Sequence, residues 1–363
     1  MKDTSRRVVV ALSGGVDSSV AAALLVQQGF QVIGMMMRLW SEPGHENENR
    51  CCTPDSMAMA RRVAAHLNIP FYAVDAQNVF YKTVVSFFAQ GYAQGVTPNP
   101  CLVCNRHIRW EYLLNHARAA GADYMATGHY ARLRQDDKGL VQLLRAVDES
   151  KDQSYVLHVL GQAQLRQALF PLGEYSKPQV RQLARDFGLP VAERSESQDL
   201  CFLGTDDYRA FLKRQQNDLI NPGVIRHIDG HKLGEHQGLA FYTIGQRKGL
   251  GISSAKPLYV LEKDIEQNAL IVGEEEYLGN DELVADNINW ISGEPPASSK
   301  RLEVKIRYKA AYAWAKITPS GNNQAAVQFE HRMRDITPGQ AAVFYDDQVC
   351  LGGGIIQNLR EQT

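Results

Sequence analysis

Two cysteines three positions apart, Cys101 and Cys104, carry the most reactive side chains of this sequence. A Cys-x-x-Cys pair is typical of half a zinc site, of a redox pair, or of a nucleophile with a partner thiol. A structural zinc site needs further ligands, and we expect neither a second Cys-x-x-Cys nor a His-x-x-x-His to supply them. The pair therefore favours thiol chemistry over structural zinc.

The backbone around this pair is predicted to be stiff. Prolines at positions 98 and 100 bias the residues before them toward extended geometry, so residues 97–105 are expected to form a loop that presents both thiols. A third cysteine, Cys201, has by residue type alone the character of a buried side chain. The remaining cysteines are expected to be structural: Cys51, Cys52 and Cys350.

A second chemical motif lies near the N-terminus. Residues 8–12 are an apolar run typical of a buried strand, and a helical pattern runs from Asp17 to a stop at Gly29. Residues 13–19 between them hold two glycines, which permit a tight turn and close approach of a ligand to the backbone. Because unpaired N–H groups and the helix dipole converge at such a turn, we expect an anion-binding site here.

The loop sequence narrows the class of anion. It lacks the Gly-Lys-Ser/Thr ending of a Walker A loop, and its glycine spacing is wrong for a dinucleotide fingerprint. The string Ser-Gly-Gly-x-Asp-Ser resembles the pyrophosphate loop of ATP pyrophosphatases, which use ATP to adenylate a substrate. An ordinary strand–helix turn is the alternative.

The elements that must position these motifs alternate between strand and helix as far as residue 160. Strands are predicted near residues 32–37, 70–74 and 124–128, and helices near 55–67, 84–92 and 108–120. This alternation predicts an α/β fold with a doubly wound parallel sheet, whose ligands bind at the carboxyl ends of strands. Gly14, Met37 and Gly128 all fall at such ends, so one nucleotide is expected to reach all three.

The second half of the chain has a different pattern of apolar and polar residues. From Arg301 onward apolar and polar residues alternate with period two, and short strands separated by Gly-Asn-Asn and Pro-Gly turns follow. We expect an antiparallel β-barrel whose first strand carries basic residues on one face; a solvated face is the alternative. The predicted domains are 1–205 for the α/β domain, 206–280 for a small central domain and 281–363 for the barrel.

Bulk properties exclude several classes of protein. A chain of 363 residues with 44% hydrophobic and 22% charged residues predicts two or three globular domains. No apolar run is long enough for a membrane span, no signal peptide is expected before the first strand, and sparse cysteines favour a reducing cytoplasm. With a net charge of −1, a nucleic-acid binder must gather its basic residues locally.

Further motifs extend the resemblance over nearly the whole chain. In order, they are the loop at 13–19, Thr-Pro-Asn-Pro-Cys-x-x-Cys-Asn at 97–105, Ala-Thr-Gly-His-Tyr-Ala-Arg at 126–132, Lys-Asp-Gln-Ser-Tyr at 151–155, the Cys201 segment, and Tyr-Thr-Ile-Gly-Gln-Arg-Lys-Gly at 242–249. Together they resemble the bacterial tRNA-specific 2-thiouridylases, which thiolate uridine 34. The resemblance implies ATP and Mg²⁺ as cofactors, an upstream sulfur carrier as donor, and tRNAs for Lys, Glu and Gln as substrates.

The same resemblance implies roles for individual residues. Cys201 accepts a persulfide, Cys104 is the partner nucleophile, and a disulfide between them forms transiently. The residues implied in ATP binding are Ala11, Leu12, Ser13, Gly14, Gly15, Val16, Asp17, Ser18, Met37 and Gly128. Those implied to face the target base are Asn99, Pro100 and Cys101. Those implied to contact tRNA are His129, Lys151, Asp152, Gln153, Arg307, Tyr308 and Gln340. The alternative for His129 is a loop histidine whose hydrogen bonds are satisfied within the protein. The alternative for residues 151–153 is a polar turn.

One position departs from a common family pattern. Where many members have Asp before x-x-Cys, this chain has Cys101. Three thiols, those of Cys101, Cys104 and Cys201, are then available to hold an iron–sulfur cluster with one open iron. An iron–sulfur route is therefore kept as a second mechanism.

Two rival functions are also kept. One is another adenylating enzyme with the same loop, such as GMP synthetase or argininosuccinate synthetase, which acts on a small molecule and needs no cysteine pair. The other is a non-catalytic RNA-binding protein that uses ATP or a cluster as a sensor.

Overall fold

The computed structural model describes residues 6–44, 53–195, 200–204, 207–215, 220–321 and 323–357. Cys51 and Cys52 lie outside the described residues, as do residues 196–199 of the Cys201 segment. No helix among the described residues is long and apolar enough to cross a membrane.

The N-terminal domain is built on five parallel strands in the order β3-β2-β1-β4-β7. The strands are β1 (Arg7–Ala11), β2 (Gln31–Arg38), β3 (Phe71–Asp75), β4 (Tyr124–Ala126) and β7 (Ala168–Leu169). The inner strand β1 is wholly apolar at its centre and fully buried, as a parallel strand covered on both faces must be. The predicted doubly wound parallel sheet is confirmed.

Helices cover the sheet. They are α1 (Val16–Gln28), α2 (Pro54–His66), α3 (Gln77–Phe80), α4 (Ser86–Ala93), α5 (Pro100–Val103), α6 (Leu114–Ala119), α7 (Ser154–Leu157), α8 (Gln162–Leu165), α9 (Lys177–Asp186) and α10 (Tyr208–Gln215). Two π-helical stretches, Tyr81–Val85 and Cys104–Leu113, join α3 to α4 and α5 to α6 into continuous helices. Helix α1 ends where Gly29 adopts the left-handed conformation, as its position predicted.

A small mixed sheet forms the centre of the chain, in the order β10-β11-β8-β9. Its strands are β8 (Gly223–His227), β9 (Lys232–His236), β10 (Tyr259–Asp264) and β11 (Ala269–Gly273). Strands β8 and β11 pair in parallel, and the other pairs are antiparallel. Short 3₁₀ turns lie at Leu239–Phe241 and Glu275–Tyr277.

The C-terminal strands close into the expected antiparallel barrel. They are β12 (Asn280–Trp290), β13 (Lys300–Lys305), β14 (Ala313–Ser320), β15 (Gln324–Met333), β16 (Ala341–Asp346) and β17 (Val349–Ile356), and β12 pairs with both β15 and β17 to complete the ring. The barrel begins one strand earlier than the period-two pattern predicted. Strand β12 was missed because a register irregularity between Asp286 and Asn289 interrupts its alternation.

A hairpin of the N-terminal domain extends the barrel sheet. Strands β5 (Arg132–Gln135) and β6 (Val141–Leu144) pair with each other, and β6 pairs with β17 through Leu144 and Val349. The first domain and the barrel thus share one hydrogen-bonded sheet. No local pattern in the sequence revealed this joint, because its partners are some 200 positions apart.

The polar face of β13 lies at this joint. Glu303 accepts a bond from the buried Arg145 at 2.8 Å, and the Lys305 ammonium is buried 4.8 Å from the ring of Tyr312. Because Glu303 pairs across the two domains and Lys305 is buried, the alternative of a solvated face is wrong at both positions.

Candidate active site

Hydrogen bonds of its own serines fix the conformation of the loop at residues 13–19. The Ser18 hydroxyl accepts the Ser13 N–H at 3.1 Å, and the Ser19 hydroxyl donates to the Gly15 carbonyl at 2.7 Å. Gly15 begins α1 without a side-chain cap, so the N–H groups of the first helical turn have no partner within the helix. An uncapped helix N-terminus after a glycine turn suits a phosphate or pyrophosphate group.

Gly14 is required by its surroundings. Its φ is +73°, and a Cβ placed there would lie 2.3 Å from the Ser56 carbonyl oxygen at the start of α2. Any other residue would displace either the loop or that helix. Gly14 is therefore needed for close packing against the start of α2 as well as for the turn.

Two cations flank this loop, and neither was predicted from the sequence. Lys177 is buried and donates to both carboxylate oxygens of Asp17, at 2.7 and 2.9 Å. Arg194 donates to the Gly14 carbonyl at 3.3 Å and to the Asp55 carboxylate at 2.8 Å. Two cationic side chains thus lie beside the loop, each paired with a carboxylate. A signal for Lys177 does exist in the sequence, since a lysine in the first turn of a helix opposes the helix dipole and needs a reason to be there.

The two other residues predicted at strand ends lie beside the loop. A Cβ on Gly128 would come within 2.7 Å of the Ser18 nitrogen, so the backbone after β4 abuts the start of α1. Met37 is at the carboxyl end of β2, the strand next to β1, where it pairs with Val74. The structure thus gathers the predicted ATP-binding positions at one edge of the sheet.

The cysteine segment is helical, and the predicted extended loop over 97–105 is wrong from residue 100 onward. Asn99 is extended and its side chain accepts the Cys101 N–H at 3.2 Å, while Pro100 occupies the first helical turn. Proline suits that position because it has no N–H to leave unpaired and its φ is preset. The second proline therefore starts a helix instead of prolonging a loop.

The thiols differ in exposure. Cys101 is exposed, whereas Cys104 one turn later is buried in an apolar cluster. Cys201 is half-buried and packs against the same cluster, beside Phe202. The structure therefore brings Cys104 and Cys201 to one apolar cluster and leaves Cys101 at the surface. Cys350 is buried in β17, where burial raises the pKa of its thiol, in keeping with a structural role.

A chain of hydrogen bonds connects the strand edge to the cysteine helix. The Thr127 hydroxyl lies 2.7 Å from Nδ1 of His129, and Nε2 of His129 accepts from Arg109 at 3.0 Å. Arg109 also donates to Asn105 at 3.3 Å, and Asn105 donates to the Cys101 carbonyl at 3.1 Å. Burial, together with the Arg109 charge, holds the pKa of His129 well below its ordinary value, so its ring is neutral and accepts this bond.

Two of the residues predicted to contact tRNA make hydrogen bonds within the protein. His129 is buried with both ring nitrogens bonded as above. Asp152 is also buried, and its carboxylate accepts from the Ala146 N–H at 2.9 Å and from the Ser154 hydroxyl at 2.7 Å. Both side chains are therefore bonded within the protein. Their contact with tRNA stays a prediction from the family resemblance.

The other predicted contacts are more accessible. Tyr308 is exposed, and Arg307 is exposed and paired with Asp335 at 3.1 Å. Gln153 and Gln340 are half-buried: the first accepts the Tyr130 N–H at 3.0 Å, and the second donates to the Thr97 carbonyl at 2.8 Å. Lys151 is half-buried in the turn after Asp148.

The central domain meets the barrel at the motif of residues 242–249. A Cβ on Gly245, whose φ is +83°, would lie 2.1 Å from Oδ1 of Asp335, the residue that pairs with Arg307. The glycine of this motif thus allows the central domain to contact the barrel beside two predicted RNA-facing residues.

Comparison with known proteins agrees with this arrangement. Family models match three consecutive stretches, described as a tRNA methyl transferase HUP domain over residues 6–205, a tRNA methyl transferase PRC-barrel domain over 209–274 and an aminomethyltransferase beta-barrel domain over 280–356.

Curated relatives match along almost their whole length. The tRNA-specific 2-thiouridylase MnmA 1 of Caldanaerobacter subterraneus subsp. tengcongensis is 48% identical over 98% of this chain and 99% of its own. Those named tRNA-specific 2-thiouridylase MnmA in Magnetococcus marinus and Roseiflexus castenholzii are 48% and 46% identical, over 97% and 96% of this chain and 99% of their own. With this identity over nearly full length, the chain belongs to the tRNA-specific 2-thiouridylase family.

Proposed function

We propose that this protein is an ATP-dependent tRNA sulfurtransferase that replaces the C2 oxygen of uridine 34 by sulfur. The observation that carries the proposal is the chain of hydrogen bonds from Thr127 through His129 and Arg109 to the Cys101 segment. It ties an anion-binding strand edge to a helix that bears thiols. A site that activates an oxygen and then delivers sulfur to the same carbon requires that proximity.

The first step activates the leaving group. A carbonyl oxygen is a poor leaving group, and its attack on the α-phosphorus of ATP forms a C2–O–P bond while the bond to pyrophosphate breaks. The free N–H groups at the start of α1, with Lys177 and Arg194 nearby, stabilise the charge that develops on the pyrophosphate. Because the substrate oxygen itself attacks ATP, this step requires no nucleophile from the protein.

Mg²⁺ is proposed to enter with ATP. The Asp17 carboxylate, held by Lys177, is about one third exposed and provides beside the loop the kind of hard oxygen donor that such an ion prefers. When bound, the ion would share the pyrophosphate charge. Lys177 orients the same carboxylate.

The second step delivers sulfur. In the proposed route Cys201 carries a persulfide, whose outer sulfur ends on C2 while AMP departs with the former C2 oxygen. The Cys104 thiolate forms a bond to the Cys201 sulfur as the S–S bond of the persulfide breaks, which leaves a Cys104–Cys201 disulfide for an external thiol to reduce. The shared apolar cluster of these two cysteines supports their pairing.

An iron–sulfur route is the second candidate, and it requires the exposed Cys101 to come together with Cys104 and Cys201 of the apolar cluster. Cys101, Cys104 and Cys201 match the three-thiolate donor set of a cluster with one open iron. Such a cluster, when bound, would supply a binding position for hydrosulfide. The protein would then contribute three ligands in place of a persulfide and a resolving thiol.

The family resemblance supports a proposal for the substrate and the sulfur donor. We propose that the tRNAs for Lys, Glu and Gln bind in the cytoplasm across the barrel, where Arg307 and Tyr308 are exposed. We further propose that Asn99, Pro100 and Cys101 face the base; Cys101 is exposed, Asn99 is half-buried and Pro100 is buried. The half-buried Lys151, Gln153 and Gln340 are proposed to lie next to this surface. An upstream carrier supplies the persulfide.

Release of pyrophosphate from ATP tests the proposal against its rivals. We expect release that depends on unmodified tRNA and does not occur with tRNA that already bears 2-thiouridine. Release without tRNA, driven by a small molecule, would indicate another adenylating enzyme. Binding of tRNA with no release of pyrophosphate would indicate a sensor.

A further inference from the structure

A second cluster of ligand-type side chains lies in the central domain, apart from the cysteines. His227 ends β8, and Asp229 and His231 occupy the turn that leads to β9. Each of these three residues offers one ligand atom within 4.8 Å of the others. His227 and His231 have the His-x-x-x-His spacing that we did not expect to find as a ligand pair in this sequence.

The turn holds these side chains facing one another. Asp229 lies between the two imidazoles: its Oδ2 is 3.0 Å from Nδ1 of His227, and its Oδ1 contacts Nδ1 of His231. The rings are nearly parallel, 30° apart, with centroids separated by 4.9 Å. Backbone bonds fix the turn, since the His227 N–H donates to the His231 carbonyl at 2.9 Å. Two ring nitrogens and one carboxylate thus converge without rearrangement of the backbone.

A fourth residue orients the first histidine. Nε2 of His227 lies 3.0 Å from the Glu274 carboxylate, which follows the neighbouring strand β11. In metal sites a histidine bound through one ring nitrogen commonly donates its other N–H to a carboxylate in this way. Lys256, at 3.7 Å from Glu274, balances the added charge.

We propose that His227, Asp229 and His231 form a binding site for a divalent transition metal such as Zn²⁺, with Glu274 as the carboxylate that orients His227. Two imidazoles and one carboxylate suit zinc, cobalt or nickel, whereas Mg²⁺ and Ca²⁺ prefer oxygen ligands throughout. Asp229 and His231 are more than half exposed, which leaves room for water in the remaining coordination positions. A bound ion would cross-link the two sides of the β8–β9 turn. Through the contact of His227 with Glu274, it would also attach this turn to the end of β11.

NMR signals of labelled histidines provide a test specific to this site, because the cysteines contribute no signal to the spectrum. The full chain, labelled with ¹³C-histidine, is titrated with ZnCl₂ and followed by NMR, and His227→Ala and His231→Ala assign the two signals. His66 is the control, because it is exposed, its ring nitrogen Nε2 lies 2.8 Å from the Phe187 carbonyl oxygen, and it belongs to no ligand cluster among the described residues. We expect the His227 and His231 signals to move together at a Zn²⁺ concentration that leaves His66 unchanged. Equal responses of all three would overturn the proposal.

Two variants measure the contribution of each ligand. Loss of an outer carboxylate costs metal affinity roughly 10- to 100-fold, so Glu274→Gln should raise the half-saturating Zn²⁺ concentration at the His231 signal by about that factor. His231→Ala removes a ligand and should weaken the response of His227 at least as much. MgCl₂ should shift neither signal. Unchanged half-saturation in both variants, or an equal response to Mg²⁺, would contradict a transition-metal site.

Discussion

Gln340 of the barrel donates its side-chain N–H to the carbonyl of Thr97, four residues before Cys101, at 2.8 Å. The contact is reciprocal, because the Thr97 N–H donates to the Pro338 carbonyl at 2.9 Å. Gly339 between them fits closely: its φ is +90°, and a Cβ there would lie 2.9 Å from the Thr97 oxygen. The barrel therefore holds the segment that starts the cysteine helix, so a tRNA bound on the barrel as proposed would act on the same backbone that positions the thiols.

Replacing Gln340 should separate positioning from tRNA binding. One neutral hydrogen bond contributes about 1 kcal/mol, so Gln340→Ala should lower kcat for thiolation by roughly fivefold while the Kd for tRNA stays unchanged. Gln142→Ala, which removes a half-buried glutamine paired with Arg134, is the control and should change neither quantity. A weaker Kd with unchanged kcat would instead favour the direct tRNA contact that the family resemblance implies.

Lys177 is predicted to be essential for adenylation. Its bonds to both oxygens of Asp17 place its charge beside the loop, and loss of one preorganised donor of this kind costs roughly 100- to 1000-fold in rate. Lys177→Met should therefore reduce tRNA-dependent pyrophosphate release by about that factor, with partial recovery in Lys177→Arg. The exposed Lys213, bonded to Gln237, provides the control variant Lys213→Met. Normal pyrophosphate release from a folded Lys177→Met protein would contradict the role.

Stability should fall in mild acid because of a buried histidine. Burial lowers the pKa of His158 to about 4, whereas an unfolded histidine titrates near 6.5. The unfolded chain binds the proton first, so the stability contributed by neutral His158 is complete above pH 6.5 and is lost as the pH falls toward 4, by about 3 kcal/mol.

Urea unfolding at pH 7.5 and at pH 5 measures this dependence. The His158→Gln variant should be less stable than the wild type at pH 7.5 and should lose less stability between the two pH values. His129, whose pKa is lowered in the same direction, contributes to the slope that remains. An identical pH dependence in wild type and variant would show that His158 is not the group responsible.

Cys101 distinguishes the two sulfur routes. In the persulfide route, Cys101→Asp restores the carboxylate found in many family members, and thiolation should persist within a few-fold of the wild type. In the iron–sulfur route the same substitution removes a ligand, so iron content and thiolation should be lost together. Iron and sulfide analysis of protein purified without oxygen, alongside the thiolation assay, decides between these outcomes. Cys104→Ser is the comparison, since it should abolish thiolation in either route.

The sequence predicted best where one local pattern determined the structure. Strand β1, the glycine turn and helix α1 followed from apolar runs and a glycine stop within 22 residues. The extended loop at the cysteines was wrong because proline favours both an extended predecessor and the first turn of a helix, and the capping side chain of Asn99 decided for the helix at residue 100.

Contacts between distant residues escaped prediction. Lys177 meets Asp17 across 160 positions, and the β6–β17 pair joins residues about 200 apart. The burial of His129 and Asp152 likewise depends on partners in other elements, among them Arg109 and Tyr312. Residue type and spacing suggested chemistry at these positions, but only the tertiary structure shows which side chains remain accessible.

The nucleosides of a treated tRNA test the central claim most directly. Unmodified tRNA is incubated with ATP, Mg²⁺, a persulfide donor and either the wild type or Cys201→Ser, then digested and analysed by mass spectrometry. The wild type should yield 2-thiouridine at position 34 only when ATP is present, whereas Cys201→Ser should release pyrophosphate and yield none. Release of pyrophosphate by the wild type with no 2-thiouridine, or 2-thiouridine formed equally by Cys201→Ser, would contradict sulfur transfer through this cysteine after adenylation.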